Sequence, residues 1–84
     1  MSPADRAKIR QVLMEVVEEV LPFVNLQDVT DDRSLRDLGA DSLDRVEIIS
    51  AMRDRLGNEQ ALSSFADLPD IAALIEFLDR TKRR

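Results

Sequence analysis

The stretch Leu38–Ile48, LGADSLDRVEI, runs from a glycine turn through an acid–hydroxyl pair, Asp41-Ser42, into apolar residues at helical spacing. Asp41 is a natural N-cap, and Asp44 stands three residues on in a box-like position. A helix is therefore predicted over Ser42–Leu56, with Val46, Ile48, Ile49, Met52 and Leu56 facing inward. Gly57-Asn58 ends it. At 100° per residue Leu43 falls on the polar side with Glu47 and Asp54, opposite Met52. Two readings of Leu43 stand: it folds back onto the preceding loop, or it meets a partner. Single exposed apolar residues are common. Arg45 falls close to the inward face, so its stem can cover the bundle while its head reaches water. The plain alternative is surface pairing with Asp41 or with charges on the Glu47 side, worth roughly a few tenths of a kcal/mol.

Upstream, residues 2–21 read as a first helix. Ser2 can cap it, Pro3 suits its first position, and Asp5 favours its positive end. Ile9, Val12, Leu13, Val16, Val17 and Val20 form one stripe, and Pro22 stops the helix. Residues 23–41 then form a long connection rich in turn formers, with Gly39 free to take a positive φ. Leu26, Val29, Leu35 and Leu38 pin it to the core. A loop of this length in so short a chain is often functional. Downstream, a short helical turn is expected around Leu62–Leu68. A last helix begins near Asp70, after Pro69, with Ile71, Leu74, Ile75 and Leu78 inward. Arg80, Lys82, Arg83 and Arg84 complement its negative end. No strand-like alternation, repeat or low-complexity tract is present. The fold class is all-α: a small antiparallel bundle of three main helices plus one short helix, a single domain over residues 1–84.

Composition narrows the chemistry. The chain has 84 residues, no cysteine and no histidine, and a formal charge of −5. That charge disfavours nucleic-acid binding and suits partners with basic docking surfaces. No apolar run approaches the about 20 residues of a membrane span. No signal peptide is legible, and a cytoplasmic, monomeric protein is expected. Imidazole and thiol catalysis are excluded. Asp31-Asp32 and Asp41/Asp44 lack the spacing of a calcium loop, so surface solvation is the better account and no metal site is expected.

Ser42 sits where a helix best tolerates an anion, because first-turn N–H groups lack intrahelical acceptors and the dipole favours negative charge. Unmodified, it is an ordinary helix-start residue. It cannot activate itself as a nucleophile, since no histidine base exists. If it reacts, another enzyme activates it, which makes the hydroxyl an attachment point rather than a catalyst.

LGADSLDRVEI resembles the attachment segment of acyl carrier proteins, with Asp-Ser-Leu after Leu-Gly. The likeness extends over nearly the whole chain, through the apolar first helix and long loop to the final ALIEFL. The resemblance implies that Ser42 carries 4′-phosphopantetheine, transferred from coenzyme A by a phosphopantetheinyl transferase. The arm's thiol would then hold acyl groups as thioesters. Asp41 would bind near the metal and coenzyme A of the transferase, and Leu43 would contact partners. On the second helix, Leu43, Asp44, Arg45, Glu47, Ser50, Arg53 and Asp54 would dock partner enzymes. Val46, Ile49, Met52, Phe65 and Leu68 would shelter an acyl chain, or else form plain core. The chain would catalyse nothing, and would present one tethered intermediate at high effective concentration.

The chain departs from carriers of bacterial fatty acid synthesis. Their second helix is almost wholly acidic, whereas here Asp44, Glu47 and Asp54 alternate with Arg45, Arg53 and Arg55. Ser50 stands where many carriers offer an apolar contact. Asn58 and Gln60 stand where many have an apolar pair closing the second helix onto the third, which puts that packing in doubt. The pattern leans toward a discrete polyketide-type carrier. SLDRVEI is also similar to the acetyl donor carriers of β-branching cassettes. The implied partners are a ketosynthase, an acyltransferase or an HMG-CoA-synthase-like enzyme. A fatty acid synthesis carrier and a non-carrier helical interaction module are the alternatives.

Overall fold

The structure, a computed structural model, describes residues 3–81, with side chains described from Asp5 onward. Three helices carry it: α1 (Pro3–Val20), α2 (Ser42–Leu56) and α3 (Ile71–Arg80). Two 3₁₀ turns, Leu26–Asp28 and Leu62–Phe65, sit in the connections, and no strand occurs among the described residues. The expected short helix is thus a single 3₁₀ turn, and a second such turn appears in the long loop. The Ser2 cap and the cations Lys82, Arg83 and Arg84 lie outside the described residues.

α1 packs against both other helices. Its apolar stripe is buried at Ile9, Val12, Leu13, Val16 and Val17, with Val20 partly buried at the edge. Pro22 cannot donate to the helix ladder, so α1 closes with the Leu21 N–H on the Val17 carbonyl at 2.7 Å. Leu21 then turns inward to 1% exposure. α2 contributes Ile48 and Met52, and α3 contributes Ile71, Leu74, Ile75 and Leu78. Phe65 stacks edge-on against Phe77 at 5.0 Å and ties the second 3₁₀ turn to α3.

The long loop is a structural member. Val29, Leu35 and Leu38 are buried, and Leu26 packs against the core. Arg10 of α1 pairs with Asp31 at 2.6 Å. The carbonyls of Arg33 and Asp31 accept the N–H groups of Ile71 and Ala72 at 2.8 and 3.1 Å. Those two groups open α3 and have no acceptor within their own helix. The Asp70 side chain accepts from Ala73 N–H at 2.9 Å, which completes the cap of α3.

The doubt about how α2 closes onto α3 is resolved with polar groups. Gly57 takes φ 65 and ends α2. Asn58, only 6% exposed, then donates from Nδ2 to Thr81 Oγ1 at 3.0 Å. Its Oδ1 accepts the Gln60 N–H at 2.8 Å, while Thr81 Oγ1 donates to the Phe77 carbonyl at 2.7 Å. A hydrogen-bonded relay thus replaces the apolar pair. A second buried polar residue, Asp79, accepts from Arg6 Nε at 3.4 Å and links α3 to α1. Asn58→Ala is expected to destabilise the protein by about 1–3 kcal/mol, the usual cost of stranding buried hydrogen-bonding groups. Urea titration followed by circular dichroism measures it, and an unchanged midpoint would show that the relay does not hold the helices together.

Candidate functional site

The site is built on the first turn of α2. Asp41 is extended at φ −82, ψ −175, and its Oδ1 accepts the Asp44 N–H at 2.8 Å. Asp44 Oδ2 accepts the Asp41 N–H at 3.3 Å in return, so the box-like spacing is a full capping box. Upstream, Gly39 takes φ 96, and a side chain there would meet the Phe23 ring at 3.3 Å. Glycine is the residue for this turn on both counts. Leu38 and Ala40 are buried, and Ser42 emerges exposed immediately after them.

Ser42 Oγ accepts a hydrogen bond from Arg45 Nη2 at 3.3 Å. This is the contact of Arg45, in place of the surface pairing with Asp41 or the Glu47 side that charge spacing offered as an alternative. Its stem does lie along the bundle, lining a groove of about 470 Å³. Ser42, Val46 and Ile49 line the same groove from α2, with Ser34, Leu35 and Arg36 from the loop. The far wall is Leu62, Phe65, Ala66, Leu68 and Pro69, followed by Asp70, Ile71 and Leu74.

Four of the five residues expected around a sheltered chain, Val46, Ile49, Phe65 and Leu68, border this groove. Met52 does not. It lies ten residues from Ser42, about 15 Å along the axis, and about 40° from Ile48 around it. Both are fully buried in the core. Val46 was expected inward and is instead 49% exposed, because the groove on its side of α2 stays open.

Leu43 is 68% exposed, so it does not fold back onto the loop. Glu47 and Asp54 are exposed on its stripe, with Ser50 half-buried between them. Arg53 is half-buried, and its Nε has no hydrogen-bond partner among the described residues. Arg55 pairs with Glu19 at 2.6 Å, which holds its guanidinium pKa above the usual value. Asp31 is engaged by Arg10, and Asp32 accepts from the Thr30 hydroxyl, which lowers its carboxyl pKa. No group of acids placed to hold a metal occurs among the described residues. Ser34, Arg36 and Leu62 escaped the sequence reading of the groove. Ser34 and Arg36 lie in the loop, where spacing carries no directional signal, and Leu62 opens a 3₁₀ turn too short to define a periodic face.

A small helical bundle with a capped, exposed serine at the start of its second helix, beside an open apolar groove, has the architecture of a carrier domain. The chain matches the family described as "Phosphopantetheine attachment site" over residues 11–78, and it belongs to that family. It is 33% identical over 73 residues to "Acyl carrier protein" of Saccharopolyspora erythraea, covering 86% of this chain and 76% of that protein. It is 38% identical over 77 residues to "5-methylorsellinic acid synthase" of Aspergillus terreus, covering 92% of this chain and 3% of that protein. "Norsolorinic acid synthase" of Dothistroma septosporum is 36% identical over 77 residues, again with 3% of its length covered. The chain thus spans about 3% of the length of these synthases. No solved structure is a significant match. No helix among the described residues is long and apolar enough to cross a membrane.

Family members carry 4′-phosphopantetheine covalently. The residues at Asp41–Arg45 suit such a group: an exposed hydroxyl, a guanidinium in contact with it, and first-turn N–H groups at Ser42 and Leu43 with no acceptor in the helix. Asp41→Ala is expected to cost about 1 kcal/mol of stability through loss of the cap, and Asp41→Asn much less. Thermal unfolding of the two variants measures the difference, and equal losses would show that the box does not set the start of α2.

Proposed function

We propose that Ser42 is the phosphopantetheine attachment site and that the chain, one carrier domain over residues 1–84, presents acyl thioesters to separate enzymes. One observation carries the reading: Ser42 Oγ is exposed on a turn fixed by the Asp41–Asp44 box, at the mouth of an apolar groove. In the loading step Ser42 Oγ attacks the phosphorus of coenzyme A on its pantetheine side. An O–P bond forms, the P–O bond to the nucleotide half breaks, and that half leaves. The serine proton passes to a base on the transferase, because this chain has no histidine or cysteine to take it. Asp41, besides capping α2, faces the transferase's metal and coenzyme A. The chain itself catalyses nothing.

The pathway is proposed to be polyketide assembly, in the cytoplasm and with the chain as a monomer. Similarity to the fungal polyketide synthases supports this, as does the composition of α2. Its three acids, Asp44, Glu47 and Asp54, are matched by Arg45, Arg53 and Arg55. Such a surface favours partners that read a charge pattern rather than a uniformly acidic helix. The proposed partners are a phosphopantetheinyl transferase and a ketosynthase, an acyltransferase or an HMG-CoA-synthase-like enzyme. Leu43, Asp44, Glu47, Ser50 and Asp54 are the proposed docking surface. The half-buried Arg53 belongs to it as well, and Val46, Ile49, Phe65 and Leu68 are the proposed shelter.

Incubating the protein with coenzyme A, magnesium and a broad-specificity transferase should add the mass of one phosphopantetheine. That gain should vanish in Ser42→Ala, and no gain in the folded wild type would overturn the reading. Leu43→Ala should lower kcat/KM for loading about tenfold, the equivalent of about 1.4 kcal/mol, without loss of helical content. An unchanged rate would remove Leu43 from the contact surface.

A further inference from the structure

We propose that Arg45 is a positioning residue for the loaded carrier. Its guanidinium grips the phosphodiester on Ser42 and so sets the side of α2 from which the arm departs. The proposal rests on Ser42 being the attachment point. The geometry is already assembled: Arg45 Nη2 lies 3.3 Å from Ser42 Oγ, and both residues line the same groove. Once Oγ is esterified, the non-bridging phosphate oxygens stand two bonds beyond it, within the sweep of a guanidinium with five donors in a fixed fork. An ion pair between the guanidinium and phosphate is stronger than the guanidinium's bond to the uncharged hydroxyl oxygen that it replaces.

Charge on this turn makes the grip necessary. Asp41 and Asp44 are both committed to the capping box, so two carboxylates already border Ser42. A phosphodiester adds a third negative group within the same turn. The helix dipole offsets part of this repulsion, and Arg45 is the side-chain cation in hydrogen-bond contact with the attachment residue. Three residues on from Ser42, it sits about 60° to the groove side, whereas Leu43 sits about 100° the other way. A phosphate held by Arg45 therefore leaves the Leu43 stripe clear for a partner and starts the arm along the groove.

The test uses ¹⁵N-labelled full chain before and after loading by a transferase with coenzyme A, with mass confirming completion. In the wild type the Arg45 guanidinium signals, assigned by their loss in Arg45→Gln, should shift on loading and exchange more slowly. The ³¹P signal of loaded Arg45→Gln should move from the wild-type position and sharpen as the arm becomes freer. Arg45→Lys should fall between the two, since it restores charge without the fork. Unmoved Arg45 signals in a protein whose mass shows full loading would overturn the grip alone. Absence of any mass gain would overturn the attachment reading and the grip with it.

Discussion

The reciprocal hydrogen bonds between Asp41 and Asp44 fix the first turn of α2, and the site inherits its position from that turn. Before it, Leu38 and Ala40 are buried and Gly39 bends the chain at φ 96. After it, Ile48 and Met52 lock the helix into the core. The backbone of the serine is held between these anchors, and its side chain projects outward. A rigid base of this kind suits a long flexible attachment. The cost of searching for a partner then falls on the arm and not on the domain, and the tethered group stays at high local concentration.

The groove beside Ser42 is not a gap between two packed helices. One wall is α2, the second is the loop at Ser34–Arg36, and the third is the 3₁₀ turn at Leu62–Phe65 with the start of α3. Its shape therefore depends on what fixes the loop. Arg10 holds Asp31, while the carbonyls of Asp31 and Arg33 cap α3. The contacts that satisfy the open end of α3 are thus the same ones that set the groove wall. A loop of this length usually has loose ends; here both its middle and its end are tied to helices that the core already fixes.

The helices were legible because each carries its own evidence. Apolar spacing, Pro22, the Asp41–Asp44 spacing and Gly57 are all local signals, and α2 begins and ends where they put it. Four members of the groove, Val46, Ile49, Phe65 and Leu68, came from the family resemblance, since apolar spacing alone reads equally well as plain core. What escaped was non-local. Asn58 finds Thr81 twenty-three positions away, and Asp79 finds Arg6 seventy-three positions away. A buried polar group needs a hydrogen-bond partner, and here that partner is distant in the sequence. Arg45 is the instructive case. Its closeness to the inward face was visible, yet its partner is Ser42, three residues back, rather than an acid. Charge complementarity points to an acid, whereas an i,i+3 contact with a hydroxyl carries no charge signal.

Charge is also distributed in a way that bears on docking. The chain carries −5 overall, yet the three acids and three arginines of α2 cancel. Arg55 is further committed to Glu19 of α1, and Arg45 to Ser42, so two of the three arginines are turned toward the protein itself. The acids Glu47 and Asp54 remain exposed beside Leu43. The exposed stripe is therefore more acidic than the composition of the helix implies, and it is narrow with an apolar residue at its end. Long-range steering follows net charge and decays over about 8 Å at physiological salt. Discrimination between partners follows the local pattern. Under the proposed docking surface the two would come from different parts of the molecule: attraction from the acidic domain as a whole, and choice from the stripe from Leu43 to Asp54.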